Sequence, residues 1–589
     1  KSQTSITRSG RDLQTGEVKQ TVTVANLISP MHHYRCYRSK GTENFLMLGK
    51  RGIEFLDLEG DDHMRHDWLR APCSYGFIPA NGLLYMPPST CFCYPGVKLN
   101  GFNALAAKES VAPEVPGEAR LLRGPAYGEA VAGADTHRAD WPTYRSDIAR
   151  SGRAKTALTA QFRVEWQEPL EGKASPPVIA DGQLYVALID QHAVCCIDAA
   201  TGERRWMFTA GGRVDSPPTV WRDRVLFGST DGYVYCVRAS DGALAWRFLA
   251  APHDRRLVSW DQVESVWPVH GSVVVLDDPE RGTDAATVYC TAGRSSFLDG
   301  GLSLWSLDVA TGQSLHFTRY ASRRPNVQSE EGQPFDMEGA RSDVLTSDGT
   351  YLFLFQDVFD RELKPIEAPR LTTLGDRRTP SHLMTTGGFL DDSWWDRTYW
   401  TYGNRWPGFY FANEGSKAGQ IIVFDEAHTF GLHVFRNRLR LSPGFTPGEG
   451  YELFADDNDN ELYLAENSAD REKGPGYSRL KPPVWSTEIP VRARAMVLAD
   501  AAENTGARAA GGRILFLAGP PDVVDPRDPL AAFEGRKGAV MWAVSAADGS
   551  KLAEYKLESE PIFNGMAAAD GRLYLVDREG QLICFAGRN

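Results

Sequence analysis

Arginine and histidine recur in short polar segments spread along this sequence, and together these residue types support one recognisable chemistry. Arg35, Arg38, Arg341, Arg397, Arg492 and Arg494 can form an anion clamp, because a guanidinium offers paired donors to a carboxylate or sulfate. His33, His270, His382 and Tyr75 can move a proton beside such a clamp. The pair of functions matches β-elimination on a uronate: arginine neutralises the carboxylate and acidifies the adjacent C–H, histidine or tyrosine removes the proton, and tyrosine protonates the leaving oxygen. Trp267 and the block GFLDDSWWDRTYW (388–400), with Asp391, Asp392, Trp394, Trp395 and Arg397, add flat apolar faces and carboxylates suited to a sugar ring. A glycosidase built on Asp391 and Asp392 ranks lower, because adjacent side chains diverge and a second acid must come from elsewhere. The plain alternative for all these groups is a polar channel filled with water and internal ion pairs.

Such scattered residues meet only if the fold gathers them, and two recurring patterns indicate how. Tight turns precede apolar strands at Asn81-Gly82, Asp181-Gly182, Asp348-Gly349, Gly511-Gly512 and Asp570-Gly571. Strands end in Thr-Gly or Asp-Gly turns in IDAATGERRW (197–206), VRASDGALAW (237–246), LDVATGQSL (307–315) and VSAADGSKL (544–552). Gly202 and Gly242 stand 40 residues apart, the period of a four-stranded propeller blade. Trp206 and Trp246 share one offset after these glycines, which predicts aromatic packing between blades.

Inner-strand candidates fall at 32–38, 71–77, 174–180, 215–220, 264–271, 340–345, 382–390, 491–498 and 561–568. We therefore expect an all-β propeller, residues 1–589, of eight four-stranded antiparallel blades, with nine as the alternative because the 340–368 unit lacks a clear outer strand. The last unit stops without an outer strand, and DLQTGEVKQTVTV (12–24) has the missing pattern. Residues 1–25 are thus expected to pair with the C-terminal blade and close the ring. Residues 107–140 read as a linker or surface excursion, and 319–337 and 363–381 as long loops.

Composition narrows the function classes. With 64 basic and 76 acidic residues the net charge is −12, so the overall field gives no support for nucleic-acid binding. No apolar run reaches the roughly 18 residues of a membrane span. Nine cysteines are too few for a disulfide-stapled scaffold. P-loop, Gly-x-Ser-x-Gly and His-Glu-x-x-His motifs are absent from the sequence. Metal signals are weak: His32, His33, Cys36, Cys73, Cys91 and Cys93 supply donors without zinc spacing, and DDNDNE (456–461) has Glu461 where a calcium loop needs glycine.

The repeats IDAATGERRW and VRASDGALAW, the SPP at 175–177 and 216–218, and DWPTYRSDIARSG (140–152) resemble the PQQ-like repeat propellers, a group that includes quinoprotein alcohol dehydrogenases and outer-membrane assembly lipoproteins. The resemblance is clear over 140–320 and 540–589. It implies an extracytoplasmic location, periplasmic or secreted, and does not imply a quinone. Quinoproteins of this group use a calcium ligand set, a catalytic aspartate and often a vicinal disulfide; Cys195-Cys196 is vicinal but lies in a strand, where packing explains it better. The sequence thus assigns no definite cofactor, admits a divalent metal and sets PQQ aside. We expect a polysaccharide lyase acting on an anionic polysaccharide or oligosaccharide, with a binding or assembly scaffold and a quinoprotein oxidoreductase as alternatives.

Overall fold

Turn chemistry builds the repeating unit. Asp198 accepts hydrogen bonds from the N–H groups of Ala200 and Thr201 at 3.0 and 2.9 Å and from Thr201 Oγ1 at 3.1 Å. Gly202 then takes φ +79°, a conformation that excludes most side chains. This turn joins Ala193–Asp198 to Arg204–Thr209, and Asp308 with Thr311 forms its counterpart between Leu302–Asp308 and Ser314–Tyr320. The glycine has a second use. A Cβ on Gly242 would stand 2.6 Å from the Trp206 ring, whose Nε1 donates to Ala239 O at 2.8 Å. Trp246 docks in the same way on Gly312, donating to Val309 O at 2.8 Å, so each tryptophan ties one sheet to the next.

The computed structural model describes the chain except residues 1–4, 26–37, 50–51, 61, 73, 89–94, 98, 107–113, 133–139, 323–338, 342, 370–376, 391–398, 407–414, 434–449, 465–476, 503–511, 522–524, 533 and 589. It is an all-β propeller protein, and the described residues contain short 3₁₀ turns but no α-helix. We number the principal sheets by their first strands: I from Val178–Ala180, II from Thr219–Trp221, III from Val274–Asp277 and IV from Thr346–Ser347. Sheet V starts at His382–Thr385, VI at Ile421–Phe424, VII at Ala495–Ala501 and VIII at Pro561–Ala569. First strands of neighbours touch from I to II to III, from IV to V, and from VI through VII and VIII back to I. Ser272 and Val344 form a parallel bridge between III and IV, and Trp400–Gly403 links V to VI.

What occupies the axis departs from the expected polar hollow. Trp141 pairs with Ile179 of sheet I through two 2.9 Å bonds, and Pro142 O accepts from Val220 of sheet II at 2.7 Å. Arg150 donates to Val273 O of III at 2.9 Å and to Leu345 O, ahead of IV, at 3.3 Å. The Arg145 guanidinium stacks 4.8 Å from the Trp400 ring of V, bonds Ile422 O of VI and donates to Asn564 Oδ1 of VIII at 2.6 Å. Gly152 O accepts from Leu498 of VII at 3.0 Å. A segment as short as 141–152 can reach all these sheets only where they converge. Trp141, Tyr144, Arg145 and Arg150 are accordingly buried, and the axis is plugged by the chain itself.

The closure also differs. Phe162–Pro169 pairs antiparallel with Gln581–Gly587 and completes sheet VIII, whereas Ser5–Arg11 pairs with Val18–Ala25 in a separate hairpin. The reason is proximity: the axial segment feeds directly into this region, while Val22 and Val24 of the hairpin pack on Leu46 and Leu56. Residues 40–66 and 78–106 form two sheets outside the principal set. Residues 71–77 are not an inner strand; Ala71 and Phe77 are buried in a core shared with Trp68 and Phe297. Within 107–140, Leu121–Arg123 adds a fifth strand to sheet II, anchored by Arg120, which donates to Leu249 O and Ala251 O at 2.9 and 2.8 Å. Sheet IV has an outer strand of only two residues, Pro365–Ile366.

Candidate functional site

Several charged side chains sit immediately ahead of first strands and gather at one end of the propeller axis. Arg213 and Asp215 precede sheet II, Trp267 and His270 precede III, and Arg341 and Asp343 precede IV. Arg492 and Arg494 precede VII and Glu560 precedes VIII. Around this mouth the described residues of 40–106 dock by close backbone contact: a Cβ on Gly96 would lie 2.3 Å from Gly339 O. Trp68 stacks on Phe297 with 5.7 Å between centroids, and Asn100 Oδ1 accepts from Arg341 at 3.2 Å.

Two ion clusters form there. In the first, between sheets II and III, Arg213 donates to Asp215 from Nε at 2.9 Å and from Nη2 at 3.2 Å, and Nη2 stands 3.2 Å from Glu264. Glu264 is shared with Arg294, which also donates to Ser265 O at 3.3 Å. Burial pulls the Arg213 guanidinium down, and Asp215 with Glu264 lifts it above its ordinary value. Arg213 Nη1 and Arg294 Nε are buried donors with no hydrogen-bond acceptor among the described residues. The adjoining His270 Nε2 lies 2.6 Å from Asp343 Oδ1, while Arg341 stands 3.7 Å from the other oxygen and donates to Thr386 O at 2.6 Å. The second cluster joins Arg492, Arg494 and Arg578 to Glu560 between sheets VII and VIII.

The proton-transfer set expected from the sequence is not assembled among the described residues. His382 is buried, faces Pro380 O at 2.8 Å and Phe355 O at 2.6 Å, and stacks on Phe353 at 4.0 Å; burial pushes its imidazole pKa down. Tyr75 is 80% exposed, and Arg38 is exposed as well. Trp267 is buried and donates from Nε1 to Asp299 O at 2.9 Å, so its ring packs the wall beneath the mouth. His33, Arg35, Asp391, Asp392, Trp394, Trp395 and Arg397 lie outside the described residues, as do His32, Cys36, Cys73, Cys91 and Cys93.

Two other motifs resolve into packing and ion pairing. Cys195 and Cys196 are free thiols that point into different apolar cores on opposite faces of sheet I, and burial pushes them up to about 11 and about 12. In DDNDNE, Lys481 pairs with Asp457 at 3.0 Å and Asp459 at 2.7 Å, and Lys417 pairs with Glu461 at 2.9 Å, so lysines hold the carboxylates. The residues overlooked in the sequence are Arg213, Glu264, Arg294, Glu560 and Arg578. Arg213-Val-Asp215 repeats the Arg-x-Asp spacing of Arg341-Ser-Asp343 just ahead of a first strand, and that recurrence was the available signal.

Comparison with known proteins places this geometry in a family context. Residues 152–349 match the family model described as outer membrane protein assembly factor BamB. The dehydrogenase subunit of alcohol dehydrogenase (quinone) from Komagataeibacter europaeus is 24% identical over 151 residues, 22% of this chain and 20% of that protein. Its counterpart from Gluconacetobacter polyoxogenes is 26% identical over 151 residues, with the same coverage. The match thus spans about a fifth of these relatives' length. Among solved structures, quinohemoprotein alcohol dehydrogenase from Comamonas testosteroni is 16% identical, covering 77% of this chain and 81% of its own, with a TM-score of 0.36. BamB from Moraxella catarrhalis is 11% identical, covering 72% of this chain and 99% of its own, with a TM-score of 0.30. The expected polysaccharide lyase is therefore corrected: the matched enzymes are oxidoreductases, and His270 and His382 are held by Asp343 and by backbone carbonyls instead of facing a shared chamber. Residues 152–349 are thus similar to the PQQ-repeat family, within a chain whose described residues form an all-β propeller.

Proposed function

We propose that the protein is an extracytoplasmic oxidoreductase of the quinone-dependent class, with the carboxylates of a quinone cofactor received at the Arg213–Arg294 end of the mouth. One observation carries this: Arg213 Nη1 and Arg294 Nε are desolvated cationic donors without an acceptor among the described residues, which suits them to an incoming carboxylate. The match to quinone-dependent alcohol dehydrogenase subunits supports the same class. The donor set does not fit a calcium ion equally well. Glu264, Asp343 and Glu560 are each engaged by arginine or histidine, and no group of three His, Cys, Asp or Glu is arranged for a metal among the described residues.

A quinone of this kind, when bound, accepts the reducing equivalents removed from an alcohol. The chain's own part is to bind and orient: Arg213 and Arg294 fix an anionic edge, and Glu264 holds both guanidinium groups in place. The test is equilibrium binding of PQQ with and without calcium, with dye reduction in the presence of primary alcohols. Saturable binding that weakens at least about tenfold in Arg294→Gln is expected. Absence of binding under both conditions overturns the proposal. It would favour a second reading as a binding or assembly scaffold, for which the plugged axis and the matched BamB family model speak.

A further inference from the structure

The sheet formed by Ile78–Ala80, Leu83–Met86 and Asn103–Ala106 is apolar on both faces. Leu84, Met86 and Leu105 point one way, into the core shared with Trp68 and Phe297. Register sets the other face: Ile78, Tyr85 and Ala104 form one row, and Ala80, Leu83 and Ala106 form the next. Ile78 is 57% exposed, the three alanines are exposed, and Leu83 and Tyr85 are half-buried. A sheet with one solvated face alternates apolar with polar residues, and this one does not. Composition agrees: residues 71–106 hold a single charged side chain, Lys98, where 24% of the whole chain is charged. The apolar surface continues towards the mouth. Phe102, 65% exposed, has its ring 6.1 Å from that of Tyr85, and a Cβ on the adjoining Gly101 would meet the Trp260 ring at 3.4 Å. Trp260 lies at the tip of the hairpin Arg256–Ser259 with Gln262–Ser265, whose paired Val258 and Val263 are exposed.

From this arrangement we infer a self-association surface: the exposed face of the sheet 78–106 packs, about a two-fold axis, on the same face of a second copy of the chain. Charge favours this occupant, because two chains of net charge −12 can approach closely only through a patch that sets no like charges against each other. Shape favours it too. Ile78 and Tyr85 stand at one side of the face and Ala104 and Ala106 at the other, so a two-fold sets the bulky side of one copy over the alanine edge of its partner. Ile78, Phe102, Val258, Trp260 and Val263 present roughly 500 Å² per copy, taking about 150–250 Å² for side chains of this size. Two copies bury about 1,000 Å² in total, the lower limit for a specific interface, which makes the dimer reversible. A bilayer fits less well, since the described residues of 71–106 include no lysine or arginine to meet headgroups. The inference does not depend on quinone binding.

Sedimentation velocity of the intact protein over about 1–100 μM tests the inference, a range that brackets the affinity a contact of this size supports. A reversible monomer–dimer equilibrium is expected, tightening at higher salt because screening removes the repulsion between two negative chains. Ile78→Lys and Phe102→Lys each bring a cation into the contact from both copies and should weaken it about tenfold or more. Val164→Lys, at an exposed valine on the outer strand of sheet VIII, should leave it unchanged. Should Ile78→Lys fail to fold, Phe102→Lys, at the more exposed side chain, carries the test. A chain that stays monomeric throughout, a dimer that weakens with salt, equal dimerisation in wild type and both face variants, or an equal loss in Val164→Lys overturns the surface. So does a monomer that instead binds vesicles of neutral phosphatidylcholine, the behaviour of a lipid-facing patch.

Discussion

Replacing Arg150 by methionine should loosen the propeller at its centre. The side chain is fully buried and donates to Thr143 Oγ1 at 2.6 Å, Val273 O at 2.9 Å, Tyr144 O at 3.2 Å and Leu345 O at 3.3 Å. Methionine keeps much of the apolar stem but supplies no donor, so the carbonyls of Val273 and Leu345, from two different sheets, lose their shared cation. Each buried acceptor left without a partner costs about 1–3 kcal/mol, and removing a buried charge returns part of that. A net loss of about 3 kcal/mol follows. Urea unfolding monitored by tryptophan fluorescence gives the readout, with midpoint and slope compared because a chain this long need not unfold in one step. Arg527→Met, at a side chain 90% exposed, is the control and should stay within about 0.5 kcal/mol of wild type. If both variants shift the midpoint equally, the axial segment does not hold the sheets together.

Gly96→Ala should release residues 40–106 from the mouth, because the added methyl meets Gly339 O; limited proteolysis should cut that region faster while sheets I–VIII stay protected. Removing residues 1–25 should leave sheet VIII intact, since Phe162–Pro169 supplies its outer strand, and hydrogen exchange of Gln581–Gly587 should be unchanged. In sheet VI, the hydrogen bond from His433 holds Glu452 at about 2, against an ordinary value of 4.5. A depressed carboxylate stabilises the fold above about pH 4.5 and loses that contribution as pH falls towards 2. His433→Phe should therefore be less stable near pH 6 by on the order of 2 kcal/mol, with the gap narrowing towards pH 2 in parallel urea titrations to the pH-independent cost of the lost His433–Ala418 O hydrogen bond.

The blade pattern was legible because its chemistry is local. Asp198, Thr201 and Gly202 fix a turn within a few residues, and the tryptophan offset follows from that turn. The axial plug was not legible, although its residues were noticed: DWPTYRSDIARSG has no strand period, and its partners run from Ile179 to Asn564. Ring closure failed for a related reason. Asp12, Thr15 and Gly16 form the same turn as Asp198, Thr201 and Gly202, so the hairpin at 5–25 carries the blade signature while, among the described residues, its strands pair with each other and not with sheet VIII. At the mouth, Arg341, Arg492 and Arg494 were picked out by their place before first strands. The tie of Arg492 and Arg494 to buried Glu560 was not, because Glu560 stands ahead of a neighbouring sheet, and Arg213 was missed because its partner Glu264 belongs to a separate hairpin, Arg256–Ser259 with Gln262–Ser265.

The most direct measurement is a density map of the protein equilibrated with PQQ. Carboxylate density within hydrogen-bond distance of Arg213 Nη1 and Arg294 Nε is the outcome expected from two desolvated donors awaiting an acceptor. Quinone density elsewhere on the propeller, or none at saturating concentration while those two donors stay buried, would contradict it.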